Sequence, residues 1–267
     1  AWQDQRPCWL DRDDGAKGFP HPAENRLSMM DTSTLTMLVE DAAETLAPGG
    51  ASPFFLLCEH AGAEVPGPWQ GLGLDPIYLE THYAYDPGAG LITRHLSTSL
   101  DAAAVLSRYS RIFLDYNRFQ DDWDYIRPDL GGIPVPGNLA IDADERARRE
   151  TIAAAPIRDA IEAVRRGRSA AISIHSFTPI MAGDRRNVDV AILWNDDSAF
   201  VRIALEELMG RAEVFGLRAG ENVPYDLRKV GARSLKVHAA DHALPYFYIE
   251  VNSGLFSNSE TTGRVTA

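Results

Sequence analysis

Cysteine and basic residues are both scarce in this chain of 267 residues. Its two cysteines, Cys8 and Cys58, are too few for a disulfide framework, and their spacing matches no zinc finger. Asp and Glu outnumber Lys and Arg by 38 to 26, which gives a formal net charge of −12. Because such a charge opposes broad attraction to nucleic acid or to an anionic membrane, we expect neither as a partner. An anionic substrate would need arginines placed locally to hold it.

Long apolar segments are also missing. No run approaches the roughly 20 residues that span a bilayer, and the first residues show no basic segment followed by an apolar one. Together with the low cysteine content, this favours a cytoplasmic protein. Residues 1–30 contain three prolines and no periodic pattern, so they predict an irregular arm. We expect residues 31–267 to form a single α/β domain.

Three apolar runs with the character of buried strands each stop at a histidine or a carboxylate. They are Phe54–Cys58 before Glu59 and His60, Ala171–Ile174 before His175, and Tyr246–Ile249 before Glu250. In an open α/β sheet, the carboxyl ends of parallel strands converge on the ligand crevice. The sequence therefore predicts that two histidines and a carboxylate far apart in the chain share one site, which is the layout of a metallohydrolase.

The predicted strands alternate with predicted helices along the chain. Helices are expected at Leu35–Leu46 and Gly90–Leu100, and a further strand at Ile112–Asp115. Pro156 is expected to break or kink the charged helical segment Asp142–Arg166. This alternation predicts a three-layer α/β fold, in which a mostly parallel or mixed central sheet has helices on both faces.

His60 and His175 suit the imidazole positions of a catalytic metal site. Zinc in such a site takes three protein ligands from His, Asp and Glu and leaves one position open. A lone histidine is more often a core residue bonded to backbone, but the shared placement of these two at strand ends favours ligation. The third ligand is sought among Glu59, Glu64 and Asp86. Asp86 ranks first, although a helix N-cap role is also natural for it.

The segment 107–118 alternates apolar and polar residues and ends in the pair Asn117-Arg118. The planar guanidinium of arginine binds a carboxylate through two hydrogen bonds, and a neighbouring asparagine can supply a further donor. We therefore predict that Asn117 and Arg118, helped by Arg111, hold an anionic substrate. The alternative is a structural ion pair of Asp115 with Arg111 or Arg118.

Glu250 ends an otherwise apolar strand, where an uncompensated charge is costly. A carboxylate in such a place is expected to accept a hydrogen bond from something specific, such as a water molecule that awaits deprotonation. This interpretation makes Glu250 a general base. The alternative is a buried salt bridge with Arg185 or Arg186.

Six segments together resemble the N-formylglutamate amidohydrolase family, in its branch with Cys-Glu-His-Ala near the start. They occur in family order over about residues 54–255 and are Cys58–Gly62, His82–Ala89, Ser110–Arg118, Ile174–Pro179, Asn222–Tyr225 and Ile249–Asn252. The resemblance implies a fold similar to zinc carboxypeptidases. It also implies metal-dependent cleavage of an amide. The reaction that gives the family its name is the hydrolysis of N-formyl-L-glutamate to glutamate and formate.

Carried over by position, the resemblance implies a role for each of the matching polar residues. By this resemblance His60, Asp86 and His175 bind Zn²⁺ or another divalent ion, and Glu250 is the general base. Asn117 and Arg118 bind a carboxylate of the substrate, and Tyr225 covers the bound substrate. The substrate implied is a small acidic N-acyl amino acid. The metal would polarise the scissile carbonyl while Glu250 moves the proton.

One departure leaves the substrate open. Family members that act in histidine breakdown tend to have Pro-His-Ser-Gly where this chain has Glu59-His60-Ala61-Gly62. The first alternative is a zinc carboxypeptidase or amidase that acts on a small peptide or a cell-wall fragment with the same metal centre. The second is a non-catalytic protein that binds a carboxylate ligand through Asn117-Arg118.

Overall fold

The structure is a computed structural model, and it describes residues 30–266. The arm predicted for residues 1–30 lies outside the described residues except for Met30, so the arm and the single domain after it stay predictions. The helices and strands follow in chain order as α1 (Thr32–Asp41), β1 (Ala43–Leu46), β2 (Phe54–Cys58), α2 (Ala89–Leu100), β3 (Ala103–Ser107), α3 (Ala143–Arg149), α4 (Ala155–Arg165), β4 (Ala170–Phe177), β5 (Ile180–Met181), β6 (Asp184–Arg185), β7 (Val190–Leu193), α5 (Ala199–Val214), β8 (Ala219–Glu221), α6 (Arg233–His238), β9 (Tyr246–Asn252) and α7 (Ser259–Thr266). None of the helices between residues 30 and 266 combines the length and the hydropathy that crossing a bilayer requires.

Within the described residues, seven strands form one central sheet in the order β1-β3-β2-β4-β9-β7-β8. The middle strands β3, β2, β4 and β9 run parallel to one another. β1 is antiparallel to β3 at one edge, and β7 is antiparallel to β9 near the other, with β8 parallel to β7. β5 and β6 form a small hairpin outside this sheet. The sheet is therefore mixed, and its centre is parallel.

Helices cover both faces of the sheet. Successive side chains of a strand point to opposite faces, so the apolar run of β2 can supply two cores. Phe55 and Leu57 pack in one cluster with Ile161 of α4, while Leu56 packs in another with Ile92 of α2. The three-layer α/β fold with a mixed sheet is thus confirmed.

Two predictions of local structure are wrong. The helix predicted over Leu35–Leu46 ends at Asp41, because residues 43–46 pair as β1 with the edge of β3. The run Ile112–Asp115 forms turns instead of a strand. Its apolar side chains are buried against Trp69 and its neighbours in a third cluster, so burial outside the sheet explains the apolar character.

The interruption predicted near Pro156 is confirmed. A π-helical turn over Glu150–Ala154 separates α3 from α4, and Pro156 lies in the first turn of α4. Proline has no N–H to donate to the preceding turn, so regular α-helical bonding is interrupted here, and the π-helical turn accommodates it while the backbone stays helical. α4 can then turn its apolar side onto the sheet.

Candidate active site

The predicted site residues meet where β2, β4 and β9 end. In the register of β4 and β9, His175 lies beside Glu250, so both side chains point to the same face. His60 follows β2 by two residues, and its carbonyl oxygen accepts the backbone N–H of Asp86 at 2.9 Å. This bond places the turn of residues 81–89 beside the end of the sheet. The topology thus brings together four side chains from distant parts of the chain.

Asp86 lies between the two imidazoles. Its Oδ2 is 3.4 Å from Nδ1 of His60 and 2.9 Å from Nδ1 of His175. The two rings are nearly perpendicular, with centroids 4.9 Å apart. One ligand atom from each of the three residues lies within 4.8 Å of the others, and all three residues are buried. Two imidazoles and a carboxylate so arranged form a possible metal-binding triad.

The alternative role for Asp86 is not seen. The residue at the N-cap of α2 is Gly88, which has no side chain to make a capping bond. Oδ2 of Asp86 instead accepts the backbone N–H of Ser176 at 3.2 Å, directly after His175. The carboxylate is therefore held toward the histidines.

A second carboxylate contacts the far nitrogen of each imidazole. Oδ1 of Asp115 lies 2.8 Å from Nε2 of His60, and Oε2 of Glu59 lies 3.1 Å from Nε2 of His175. Contacts of this kind fix the ring orientation and the tautomer of histidines that bind metal. Neither histidine is therefore a core residue that bonds only to backbone.

Arg111 binds two carboxylates of the cluster. Its Nε and Nη2 donate to Oδ2 of Asp115 at 3.1 and 2.8 Å, and its Nη1 lies 3.4 Å from Oδ1 of Asp86. The structural ion pair that was the alternative for Asp115 is therefore present, with Arg111 as the partner. Asp86 and Asp115 already bind three nitrogens of the Arg111 guanidinium. The substrate-binding role predicted for Arg111 stays a prediction.

The pKa values of the cluster reflect these pairings. Burial opposes ionisation of Glu59, but hydrogen bonding and the charge of His175 bring its pKa down to about 2. The pKa values of Asp86 and Asp115 also fall despite burial, because imidazoles act on Asp86 and Arg111 acts on Asp115. Burial lowers the pKa of His175, but Asp86 and Glu59 outweigh it and raise the value well above the ordinary one. Ionised carboxylates thus dominate this buried cluster.

The residues present fit a divalent cation. Nδ1 of His60 is buried and has no hydrogen-bond partner among residues 30–266, although it faces Asp86. Buried charges in proteins are paired or coordinate metals. The three ionised carboxylates, Glu59, Asp86 and Asp115, are balanced mainly by Arg111 and by the imidazolium of His175. A divalent cation held by the triad would replace the extra proton of His175 and improve the charge balance.

Glu250 is buried beside this triad and lacks a partner of its own. Its Oε2 makes no hydrogen bond within residues 30–266, and no ion pair there involves Glu250, so the alternative salt bridge with Arg185 or Arg186 is not seen. Burial raises the pKa of Glu250 to about 7, although the charge of His175 opposes this shift. A carboxyl group with such a pKa can take up and release a proton near neutral pH.

Asn117 and Arg118 are partly engaged by protein groups. Nε of Arg118 donates to Asp124 at 2.8 Å, and the Oδ1 of Asn117 accepts the backbone N–H of Ser234 at 3.0 Å. Nη2 of Arg118 has no hydrogen-bond partner in the described part of the chain. That nitrogen is the donor left for a ligand, and the anchoring role of Asn117 and Arg118 stays a prediction.

Tyr225 lies close to the cluster, whereas Glu64 does not. Burial raises the pKa of Tyr225, with a further contribution from the charge of Glu250, and its Oη accepts from Arg186 at 3.1 Å. Glu64 is exposed and lines a shallow cleft with Arg94 that contains neither histidine. It is therefore not placed to act as the third ligand.

Several partners of these residues were not predicted from the sequence. Ser173 donates to Glu59 at 2.6 Å, and the hydroxyl of Ser234 also donates to Glu59. Ser173 precedes His175 by two residues on β4, so the strand period alone would have put it on the same face. Nothing in the pattern pointed to Ser234, which reaches the site from the start of α6.

Comparisons with known proteins agree with this geometry. Residues 52–257 match the family model described as N-formylglutamate amidohydrolase. Among solved structures, the chain is similar to gene product Atu2144 from Agrobacterium tumefaciens, with a TM-score of 0.75 and 29% sequence identity over 85% of this chain and 90% of that one. No protein of curated function matches the sequence.

Proposed function

Because the chain belongs to the N-formylglutamate amidohydrolase family, we propose that it hydrolyses the amide of an N-formyl or N-acyl amino acid, with N-formyl-L-glutamate first among the candidates. One observation carries the proposal. The two imidazoles that flank Asp86 lie beside a buried carboxyl group, Glu250, that has no partner within residues 30–266. Amide hydrolysis needs an electrophilic centre and a base side by side; a cation held by the triad would be the first, and Glu250 would be the second.

His60, Asp86 and His175 are the residues that we propose as ligands of a divalent ion, zinc foremost. When bound there, such an ion would polarise the scissile carbonyl and acidify the attacking water. Asp115 and Glu59 hold the two rings in place from behind, and Arg111 in turn holds Asp115.

Glu250 is the proposed general base. In its ionised form it takes a proton from the attacking water, and it then passes that proton to the nitrogen of the departing amine. Its pKa of about 7 suits both steps, since the group is neither too acidic to accept the proton nor too basic to release it. Its burial keeps bulk water from competing for the proton.

Substrate orientation is assigned to the groups around this centre. We propose that Nη2 of Arg118, with Asn117 beside it, grips a carboxylate of a small acidic N-acyl amino acid, and that Tyr225 covers the bound molecule. We also propose that Arg111, which two carboxylates of the site already bind, helps Asn117 and Arg118 to orient the substrate. A cytoplasmic location stays a prediction from the sequence.

The test is a direct assay on the purified, zinc-loaded protein. We expect release of formate and L-glutamate from N-formyl-L-glutamate, measured by enzymatic formate detection, and much slower cleavage of short acyl-peptides. Faster cleavage of acyl-peptides would support a zinc carboxypeptidase or amidase instead. Failure to bind zinc, manganese or iron would point to a carboxylate-binding protein without catalysis and would overturn the proposal.

A further inference from the structure

Two arginines near the candidate site have no carboxylate partner. Neither Arg127 nor Arg186 forms an ion pair within residues 30–266, whereas Arg111 pairs with two carboxylates and Arg118 with Asp124. The chain carries an excess of acidic residues, so partners were available on composition alone. Two unpaired guanidinium groups close to one site therefore call for an explanation.

Each of the two guanidinium groups is held by aromatic rings. The guanidinium of Arg127 lies 5.0 Å from the ring centre of Tyr83 and 5.7 Å from that of Trp123. Arg186 lies 4.9 Å from the ring centre of Tyr225 and 5.6 Å from that of Phe177. Stacking on a ring restrains the planar group while its in-plane N–H donors remain able to bond.

Backbone bonds restrain the same two arginines further. Nε of Arg127 donates to the carbonyl oxygen of Asp129 at 2.7 Å, and the carbonyl of Arg127 accepts from the buried Asn138 at 2.8 Å. Nη1 of Arg186 lies 3.4 Å from the carbonyl oxygen of Thr178, at the end of β4. Arginines restrained before a ligand arrives lose less conformational entropy when it binds.

Both arginines contact segments that carry residues of the candidate site. Tyr83, which stacks on Arg127, is in the same turn as Asp86, and its ring also packs on His82 at 4.3 Å. Phe177, which contacts Arg186, follows His175 by two residues on β4. Burial lowers the pKa of His82, and the charges of Arg111, Arg127 and Arg186 lower it further, in agreement with an excess of positive charge around this imidazole.

We propose that Arg127 and Arg186 form a second anion-binding subsite that holds the side-chain carboxylate of a dicarboxylic N-acyl amino acid. This inference rests on the proposed function, in which Asn117-Arg118 grips the other carboxylate. The planar fork of arginine matches a carboxylate through paired N–H···O bonds. Two such forks beside the candidate site would select an acidic side chain over a neutral one of the same shape.

The test compares Arg127→Gln and Arg186→Gln with the wild type on two substrates. N-formyl-L-glutamine has the shape of N-formyl-L-glutamate but lacks the second carboxylate. Loss of one charge-assisted contact is expected to raise KM for N-formyl-L-glutamate by about 10- to 100-fold, with kcat nearly unchanged. KM for N-formyl-L-glutamine is expected to stay nearly constant, because that substrate never made the contact.

A matched control is available next to one of the two arginines. Arg185 is exposed and has no ion pair in the described chain, so Arg185→Gln removes the same charge without touching the subsite. Equal KM values for N-formyl-L-glutamate in Arg185→Gln, Arg127→Gln and Arg186→Gln would overturn the inference. Thermal melting checks that each variant is folded, and Arg127→Lys and Arg186→Lys, which keep the charge, are expected to give intermediate KM values.

A binding measurement separates this inference from the proposed function. Glutarate is a dicarboxylate that cannot be hydrolysed. Calorimetric titration with glutarate is expected to show tighter binding to the wild type than to Arg127→Gln or Arg186→Gln. If no N-formyl substrate is cleaved but this difference is seen, the subsite stands and the proposed activity fails. If N-formyl-L-glutamate is cleaved and glutarate binds all variants equally, the activity stands and the subsite fails.

Discussion

The imidazole of His60 is bracketed by two carboxylates, with Nε2 at 2.8 Å from Oδ1 of Asp115 and Nδ1 at 3.4 Å from Oδ2 of Asp86. His175 repeats this arrangement with Glu59 and the same Asp86. Asp86 thus contacts Nδ1 of both rings, on the inner side of the pair. A separate carboxylate, Asp115 or Glu59, contacts Nε2 of each ring on the outer side. In such an arrangement the outer acids would orient the proposed ligands without occupying the metal position.

Asp115→Asn should therefore weaken metal binding without removing a proposed ligand. The amide keeps the shape of the side chain but loses the charge that holds His60 and Arg111, so we expect zinc affinity to fall by about 10- to 100-fold. Competition with a chromophoric chelator measures this affinity. Asp189→Asn is the control, since Asp189 is a buried acid paired with Arg218 away from the triad. Wild-type affinity in Asp115→Asn would contradict the assignment.

Glu250→Gln should retain zinc and lose turnover. The amide cannot accept a proton from the attacking water, and general base catalysis typically contributes about 10²- to 10⁴-fold to the rate. Steady-state kinetics on N-formyl-L-glutamate and metal analysis of the same sample give both readouts. Glu206→Gln, at an exposed position on α5, is expected to behave as wild type. Undiminished turnover in Glu250→Gln would remove this residue from the mechanism.

The sequence pattern predicted the fold and the location of the candidate site for one physical reason. Parallel strands buried on both faces read as apolar runs, and their carboxyl ends meet at one edge of the sheet. The polar residues directly after β2 and near the ends of β4 and β9 were therefore expected to be neighbours. His60, His175 and Glu250 are neighbours in the structure.

The pattern failed where side chains on loops meet one another. Asp115 lies in turns that the apolar run had predicted as a strand, so its contact with His60 was not foreseen. Arg118 bonds to Asp124 because the chain turns back within a few residues, and no periodicity encodes such a turn. The contacts of Arg127 could not be predicted for a similar reason, since they are made with the separate segments around Tyr83 and Asn138.

Zinc should stabilise the protein through the triad alone. At about 100 times the dissociation constant, a ligand adds about 3 kcal/mol to the free energy of unfolding, which is roughly a 5–10 °C rise in Tm for a chain of this size. His60→Ala should lose this rise. His238→Ala should keep it, because His238 is buried between Tyr116 and Glu162, outside the triad. Equal zinc-induced shifts in the two variants, measured by scanning calorimetry, would show that zinc binds elsewhere.

The pKa of Glu250 predicts how the metal-free protein responds to pH. Burial raises this pKa from the ordinary glutamate value of 4.5 to about 7 in the folded protein. A raised folded-state value means that the protonated form favours folding, so this contribution is fully present below about pH 4.5 and is lost as the pH rises through 7. The full loss amounts to about 3 kcal/mol, since each pKa unit corresponds to roughly 1.4 kcal/mol.

Glu250→Gln should remove that pH dependence, because the amide has no proton to lose. In metal-free protein, the free energy of unfolding of Glu250→Gln relative to the wild type should therefore increase between pH 5 and pH 8.5, by up to about 3 kcal/mol. Urea titrations at the two pH values provide the measurement, with Glu206→Gln as the control for an exposed acid. A difference between variant and wild type that does not change with pH would mean that Glu250 is ionised in the folded protein throughout this range, in which case its pKa is not raised and it is less suited to act as a base.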